Sequence, residues 1–248
     1  MSGHSKWASI KHKKAATDAK RGKLFTKLIK EITIAARAGG GSPDANPRLR
    51  TAVQTARDQN MPLENITRAI KKGTGELPGQ SIEEVTYEGY AANGVAVLVE
   101  VTTDNKNRTT SEIRNLFAKH HGNMAGAGSV SWIFEKKGLL TVSKSALTEE
   151  QVMEAALEAG ADDVAVSDDV YEVYAPPTHF EAVKQALIAR GLKPEVAELT
   201  MKPKSTVRVE GSDATHVLEL VKALDDHEDV QHVYANFDIP DELLEQAG

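Results

Sequence analysis

The spacing of apolar residues changes near residue 80. Leu24, Phe25, Leu28, Ile29, Ile32, Ala35 and Ala36 recur every three or four positions. That period predicts a helix to about Ala38, with Thr17 or Asp18 as its N-cap and Gly39-Gly40-Gly41 as its stop. Asn46-Pro47 reads as N-cap and first helical position of a second helix reaching Gln59. Asn60-Met61-Pro62 opens a third, closed by Gly73, with Lys71 and Lys72 in the last turn where the helix dipole favours cations. Residues 1–16 lack any such period and read as a loosely ordered arm. Thr74–Gln80 reads as a linker.

Beyond the linker, short strand-like runs alternate with helices. Ile82–Tyr90 and Val95–Thr102 flank Asn93-Gly94, a hairpin signal. A helix over Thr109–His120, stopped by Gly122, and a strand over Val130–Phe134 follow. Leu139–Val142, a helix at 148–159, strands at 163–167 and 170–174, a helix at 178–190 and a strand at 195–201 give the order βαββαβ. That is the ferredoxin-like order, complete in itself. What remains is a strand at 206–210, a helix at 213–225, a strand at 230–236 and a short helix from Pro240. This remainder is too small to stand alone, so it is expected to pair with 81–135. The expected fold class is α+β in three domains: a basic helical N-terminal domain and two ferredoxin-like α/β domains, one inserted into the other. The expected boundaries are 1–80, 81–136 with 204–248, and 137–203.

Composition narrows the chemistry. The 248 residues are 40% hydrophobic and contain no cysteine. That excludes disulfides, a cysteine nucleophile, iron–sulfur clusters and cysteine-based zinc sites. No apolar run approaches the roughly 18 residues of a membrane span. The basic N-terminus lacks the apolar core of a secretory signal, so a cytoplasmic protein with no membrane partner is expected. The net charge of -6 hides an asymmetry. Residues 1–80 hold 16 Lys and Arg against 6 Asp and Glu, a balance of +10, which leaves -16 on the remainder. Such a split points to a polyanion-binding part on an acidic body.

The basic part carries the strongest signal. Lys6, Lys11, Lys13, Lys14, Lys20, Arg21, Lys23, Lys27 and Lys30 face Asp18 alone, with Trp7 and His12 among them. Cations neutralise phosphates and release counterions, and an indole stacks on an unpaired base. Arg48, Arg50 and Arg57 extend the field in the second helix, and Arg68, Lys71 and Lys72 in the third. A solvated lysine-rich face is the plainer explanation; the density of charge favours nucleic-acid contact. The block Thr103–Thr110 joins a strand to a helix, and its Asp104, Asn105, Asn107 and Arg108 could bind an anion at the free N–H groups there. Helix capping and internal hydrogen bonds are favoured over a ligand site. Glu88, in Tyr87-Glu88-Gly89-Tyr90, is a candidate neighbour of Asp104 and Arg108. Gly122–Ser129 lacks the Gly-Lys-Ser/Thr ending of a P-loop and is expected to be a flexible loop. His120-His121 has no partner at metal-ligand spacing, and Asp162-Asp163 and Asp168-Asp169 read as solvated turns. No catalytic residue, cofactor or metal is expected. The acidic region 207–248, with 2 Lys and Arg against 11 Asp and Glu, repels nucleic acid, folds back on the basic domain or is simply a solvated surface.

Gly3-His4-Ser5-Lys6-Trp7, Lys11-His12, Asp18-Ala19-Lys20-Arg21-Gly22-Lys23, Asn46-Pro47-Arg48-Leu49-Arg50, Asn60-Met61-Pro62, Tyr87-Glu88-Gly89-Tyr90, Asp104–Thr109 and Gly128-Ser129-Val130 together resemble the YebC/PmpR family over essentially the whole chain. The resemblance implies a three-domain protein. It also implies a regulator of gene expression, in two versions. Bacterial members are labelled transcriptional regulators that bind promoter DNA. Mitochondrial relatives resemble translational activators for a cytochrome oxidase subunit, and bacterial members are also described as ribosome-associated factors that help translation through proline-rich stretches. The chain departs from many relatives at His120-His121, where a cysteine is common, and at Ser2. The expected function is thus a non-enzymatic nucleic-acid-binding regulator. A lysine-rich arm with one aromatic favours ribosomal RNA or tRNA on physical grounds, with the ribosome as partner. A nucleotide-acting enzyme and a protein-interaction module are the competing classes.

Overall fold

A computed structural model describes residues 18–79, 81–144, 148–166, 170–240 and 243–244. The arm expected at 1–16 lies outside them, as does most of the short helix expected from Pro240. Three helices form first: α1 (Asp18–Gly39), α2 (Pro47–Asp58) and α3 (Leu63–Gly73). Leu28, Ile32, Ala35 and Ala36 of α1 pack on Leu49 and Val53 of α2 and on Ile66 and Ala69 of α3. Asn46 ties two helix ends together. Its Oδ1 accepts the Leu49 N–H at 3.1 Å, and its Nδ2 donates to Ala35 O at 2.7 Å and Gly40 O at 2.9 Å. One buried amide thereby satisfies the start of α2 and the end of α1.

The next elements are β1 (Glu83–Tyr90), β2 (Ala96–Thr103), α4 (Lys106–Lys119) and β3 (Asn123–Ala125). After a one-turn 3-10 helix at Ser131–Ile133 come β4 (Phe134–Ser143), α5 (Glu149–Glu158), β5 (Asp163–Val166), β6 (Val170–Ala175), α6 (Phe180–Ala189) and β7 (Val196–Pro203). The chain closes with β8 (Val207–Arg208), α7 (Gly211–Asp225), β9 (Val230–Ala235) and β10 (Phe237–Asp238). The strands from β4 to β7 make one antiparallel sheet in the order β5-β6-β4-β7, which is the ferredoxin-like arrangement. Leu140, Val142, Val173 and Ala175 on one face meet Val152, Ala156, Val183 and Leu187 of its helices.

The other sheet has the order β3-β1-β2-β9, so a strand near the C-terminus completes a sheet begun at residue 83. β2 is buried on both faces. Val97, Val99 and Val101 pack on α4 and α7 through Ile113, Phe117, Leu220 and Leu224. Ala96 and Leu98 point the other way, onto Val130, Ile133, Phe134 and Tyr234. The register between β2 and β9 shifts at Glu100/Val101, where Gln231 is the extra residue of a bulge.

Three local expectations need correction. Of the strand expected over Val130–Phe134 only Phe134 is in a strand, as the first residue of β4, because the N–H groups of Val130 and Ser131 bond to the Glu88 side chain instead of a ladder. Gly122–Ser129 is not a free loop, since Asn123–Ala125 pairs with β1. α4 starts three residues before Thr109, because Asn105 caps it, with Oδ1 accepting the Arg108 N–H at 3.1 Å.

α1 and α3 approach closely at Gly73. A Cβ there would lie 2.4 Å from Thr33 O and 2.7 Å from Ala36 Cβ. Gly73→Ala should therefore destabilise the chain by about 1–3 kcal/mol despite its better helix propensity. Urea denaturation checks this, and a stabilised variant would contradict the close approach.

Candidate nucleic-acid interface

Lys23, Lys27 and Lys30 are spaced on one face of α1. That face is turned onto the C-terminal end of α7, where the last carbonyls of a helix lack partners and carry partial negative charge. Lys27 Nζ donates to Asp225 O at 2.6 Å, Lys23 Nζ to Asp226 O at 3.0 Å, and Lys30 Nζ to Glu228 O at 3.2 Å. Lys30 also forms an ion pair with the Asp229 carboxylate, whose side chain has no exposed surface.

Asp229 gathers the rest of the polar block. Its Oδ2 accepts from Arg108 Nη2 at 2.7 Å, Thr109 Oγ1 at 2.7 Å and Thr103 Oγ1 at 3.3 Å. Its backbone carbonyl takes the Thr102 N–H at 2.8 Å. Burial alone would raise the Asp229 pKa. The bonds from Lys30, Thr109 and Arg108 outweigh burial and hold the carboxyl well below the usual carboxylate range. The anion attracted to the Thr103–Thr110 block is thus a carboxylate of the same chain. Asp104 bonds Arg108 at 3.2 Å, while Asn107 is exposed.

His227 donates through Nε2 to Glu112 at 2.9 Å and accepts the Asp229 N–H on Nδ1 at 3.1 Å. Glu112, His227 and Asp229 converge closely enough to be considered as metal ligands. Lys30 and Arg108 already neutralise Asp229, and their charges oppose a cation there, so an ion-pair network is the better chemical description. His120 approaches Glu219 at 3.6 Å, and the His121 ring lies 4.2 Å from that of His216.

Glu88 is not a neighbour of this cluster. Its β1 register partner is Leu98, five positions along the strand from Thr103, or roughly 17 Å. The other sequence candidates divide. Lys6, Trp7, Lys11, His12, Lys13 and Lys14, and the side chains of Lys20 and Arg21, lie outside the described residues. Arg48 makes ion pairs to Glu31 at 2.8 Å and Glu84 at 2.6 Å. Arg50 donates to the Pro43 and Asp44 carbonyls at 3.3 and 3.2 Å. Lys23, Lys27, Arg48 and Arg50 are therefore all engaged within the chain.

Arg57, Arg68, Lys71 and Lys72 are exposed, and among the described residues they have no hydrogen-bond or ion-pair partner. Arg68 and Lys71 border a groove of about 370 Å³, with Leu63, Glu64, Thr67 and Leu77 as its other walls. The residue that sequence reasoning missed is Asp229. Its only signal was membership of the acidic run Asp225–Asp229, which reads equally well as a solvated turn.

A cationic three-helix unit docked on one of two antiparallel-sheet units makes a mixed α/β protein of several units. Residues 5–76 match the model of the TACO1/YebC protein N-terminal domain, and residues 82–237 that of the TACO1/YebC second and third domain. The chain belongs to the TACO1/YebC family. It is 58% identical over 246 residues, 99% of each chain, to a "probable transcriptional regulatory protein" of Dictyoglomus turgidum. It is 56% identical, with the same coverage, to one of Geobacter sp. strain M21. The crystal structure of a conserved hypothetical protein from Aquifex aeolicus is similar, with a TM-score of 0.82 and 52% identity over 92% of this chain and 94% of that one. No helix among the described residues is long and apolar enough to cross a membrane.

Asp229→Asn should destabilise the chain by about 1–3 kcal/mol at neutral pH, because it removes the charge that matches the largely buried Lys30 ammonium and the more exposed Arg108. Asp229 has a lowered pKa in the folded state, so its contribution is complete above the unfolded value of about 3.9 and fades as pH falls from there toward the folded value. Denaturation from pH 6 down to pH 2 should show a shallower acid slope in the variant. Equal stabilities and slopes would remove Asp229 from this role.

Proposed function

We propose that this chain is a non-enzymatic, cytoplasmic regulator of gene expression that binds nucleic acid through the outward face of α2 and α3 together with the segment before α1. One observation carries the proposal: among the described cations of the helical unit, some are engaged within the chain and others are not. Lys23, Lys27, Lys30 and Arg48 hold the unit on the acidic body. Arg57, Arg68, Lys71 and Lys72 remain free to neutralise phosphates. α3 follows α2 after the four residues 59–62, with Asn60 in the left-handed region at φ 58°, a connection of helix-turn-helix length. It presents Glu64, Thr67, Arg68 and Lys71 outward. Duplex DNA is accordingly the first target, in keeping with the names of the relatives from Dictyoglomus and Geobacter. Ribosomal RNA is the other. The division into 1–80, 81–136 with 204–248, and 137–203 is part of the same proposal, with the third unit as an insert that leaves the basic face uncovered.

The combined variant Arg68→Glu, Lys71→Glu, Lys72→Glu tests the proposal. Affinity for duplex DNA should fall at least about tenfold. The slope of log K against log salt should become shallower by roughly 0.9 for each phosphate that is no longer neutralised. Parallel titrations with purified ribosomes separate the two targets. If binding to both is unchanged, this face is not the interface.

A further inference from the structure

Tyr87-Glu88-Gly89-Tyr90 is conspicuous in sequence, yet apart from the Tyr87 hydroxyl, 2.7 Å from Thr110 Oγ1, it takes no part in the Asp229 cluster or the cationic face. Its partner is the loop that follows β3. Glu88 is buried, and its Oε1 accepts the Gly128 N–H at 2.8 Å. Its Oε2 accepts the N–H groups of Val130 at 2.6 Å and Ser131 at 2.9 Å. Gly89 allows the rest of the clasp, because a Cβ there would meet Phe117 at 2.6 Å and Asn123 O at 2.7 Å. The loop is fixed at one end by β3 on β1 and at the other by Val130 and Ile133 in the core.

The clasped loop displays an aromatic side chain. Trp132 is 66% exposed, although its Nε1–H is fixed on Ser129 O at 3.0 Å. The Tyr90 hydroxyl donates to the same carbonyl at 3.0 Å, which brings a second, half-exposed ring to the site. Lys204 Nζ bonds Trp132 O at 3.0 Å and supplies a cation. Gly126, Ala127 and Gly128 form an exposed tip with the smallest side chains, and the Cβ positions of both glycines face open space.

We infer that this loop is a second nucleic-acid contact, in which Trp132 stacks on an unpaired base. The inference rests on the nucleic-acid function proposed above and adds a preference for unpaired strand. An exposed indole immobilised by its own hydrogen bond loses little rotamer freedom on binding. Its surroundings are backbone, small side chains, the Tyr90 ring and a lysine, which suits a base and its phosphate better than an apolar protein surface. The charge of Glu88 is buried and matched by three N–H donors, so it does not repel a phosphate. Glu88 acts as a positioning residue.

The full-length chain is photocrosslinked to 12-mers carrying 5-bromouracil, as DNA and as RNA, single-stranded and as duplex, and the adducts are mapped by mass spectrometry. The expected result is an adduct at Trp132 with single strands and not with duplexes. Trp132→Ala should lower the ratio of single-strand to duplex affinity by a factor on the order of 5 to 100, and Trp132→Phe should retain most of it. Glu88→Gln should weaken the adduct while the indole is still present. Adducts confined to α3, with the affinity ratio unchanged in Trp132→Ala, overturn the inference and leave the proposed function standing. Failure of every strand to bind overturns both. Loss of only a nuclease-resistant protein partner in Trp132→Ala overturns the inference in favour of a protein contact.

Discussion

A carboxylate without exposed surface is tolerated only where its charge is matched, and Asp229 is matched from several directions. Lys30 reaches it from α1, Arg108 and Thr109 from the first turn of α4, and Thr103 from the end of β2. These groups come from two separate stretches of chain, residue 30 and residues 103–109, and Asp229, just before the bulged strand β9, brings the third. Because the penalty for burying an unpaired charge exceeds the gain from any one bond, the three stretches are constrained to arrive together. The placement of α1 on α7 is consistent with this, since Lys23 and Lys27, on the same face of α1 as Lys30, reach the terminal carbonyls of α7 while Lys30 is seated on Asp229.

The same constraint explains the uneven legibility of the sequence. The three helices, the β1–β2 hairpin around Asn93-Gly94 and the ferredoxin-like order from β4 to β7 follow from local periods and turn residues. Asn46-Pro47 was readable because a cap and its helix are adjacent in sequence. The pairing of Lys27 with the end of α7 spans 198 residues, and that of Arg108 with Asp229 spans 121. No local pattern encodes such distances, so the lysines of α1 read as phosphate-binding cations, and folding back on the basic domain is only one of three readings of the acidic region 207–248. Glu88 misled for a similar reason. Its partners lie 40 to 43 residues on, in a stretch whose glycines suggest mobility, and its carboxylate replaces the strand partners that Val130 and Ser131 would otherwise need.

The contrast between a +10 and a -16 segment consequently has two physical meanings. Part of the positive charge is internal adhesive. Lys30 keeps only 15% of its side-chain surface exposed, and its partner has none. Such a pair is shielded weakly by salt, whereas Arg57, Arg68, Lys71 and Lys72 on the outer face are screened within about 10 Å at ordinary ionic strength. Salt should therefore release a bound polyanion well before it undocks the helical unit.

The two proposed contact surfaces impose different demands on a ligand. The α3 face offers mobile point charges beside a shallow apolar groove, which suits the regular phosphates of a duplex. The Trp132 loop offers one fixed ring, which requires a base out of its stack. A single nucleic acid that satisfies both has a paired stretch beside an unpaired one, as at a hairpin, a bulge or an opened duplex. A ligand of uniform duplex would engage only the first surface and would bind through charge alone, with the steep salt dependence that charge brings.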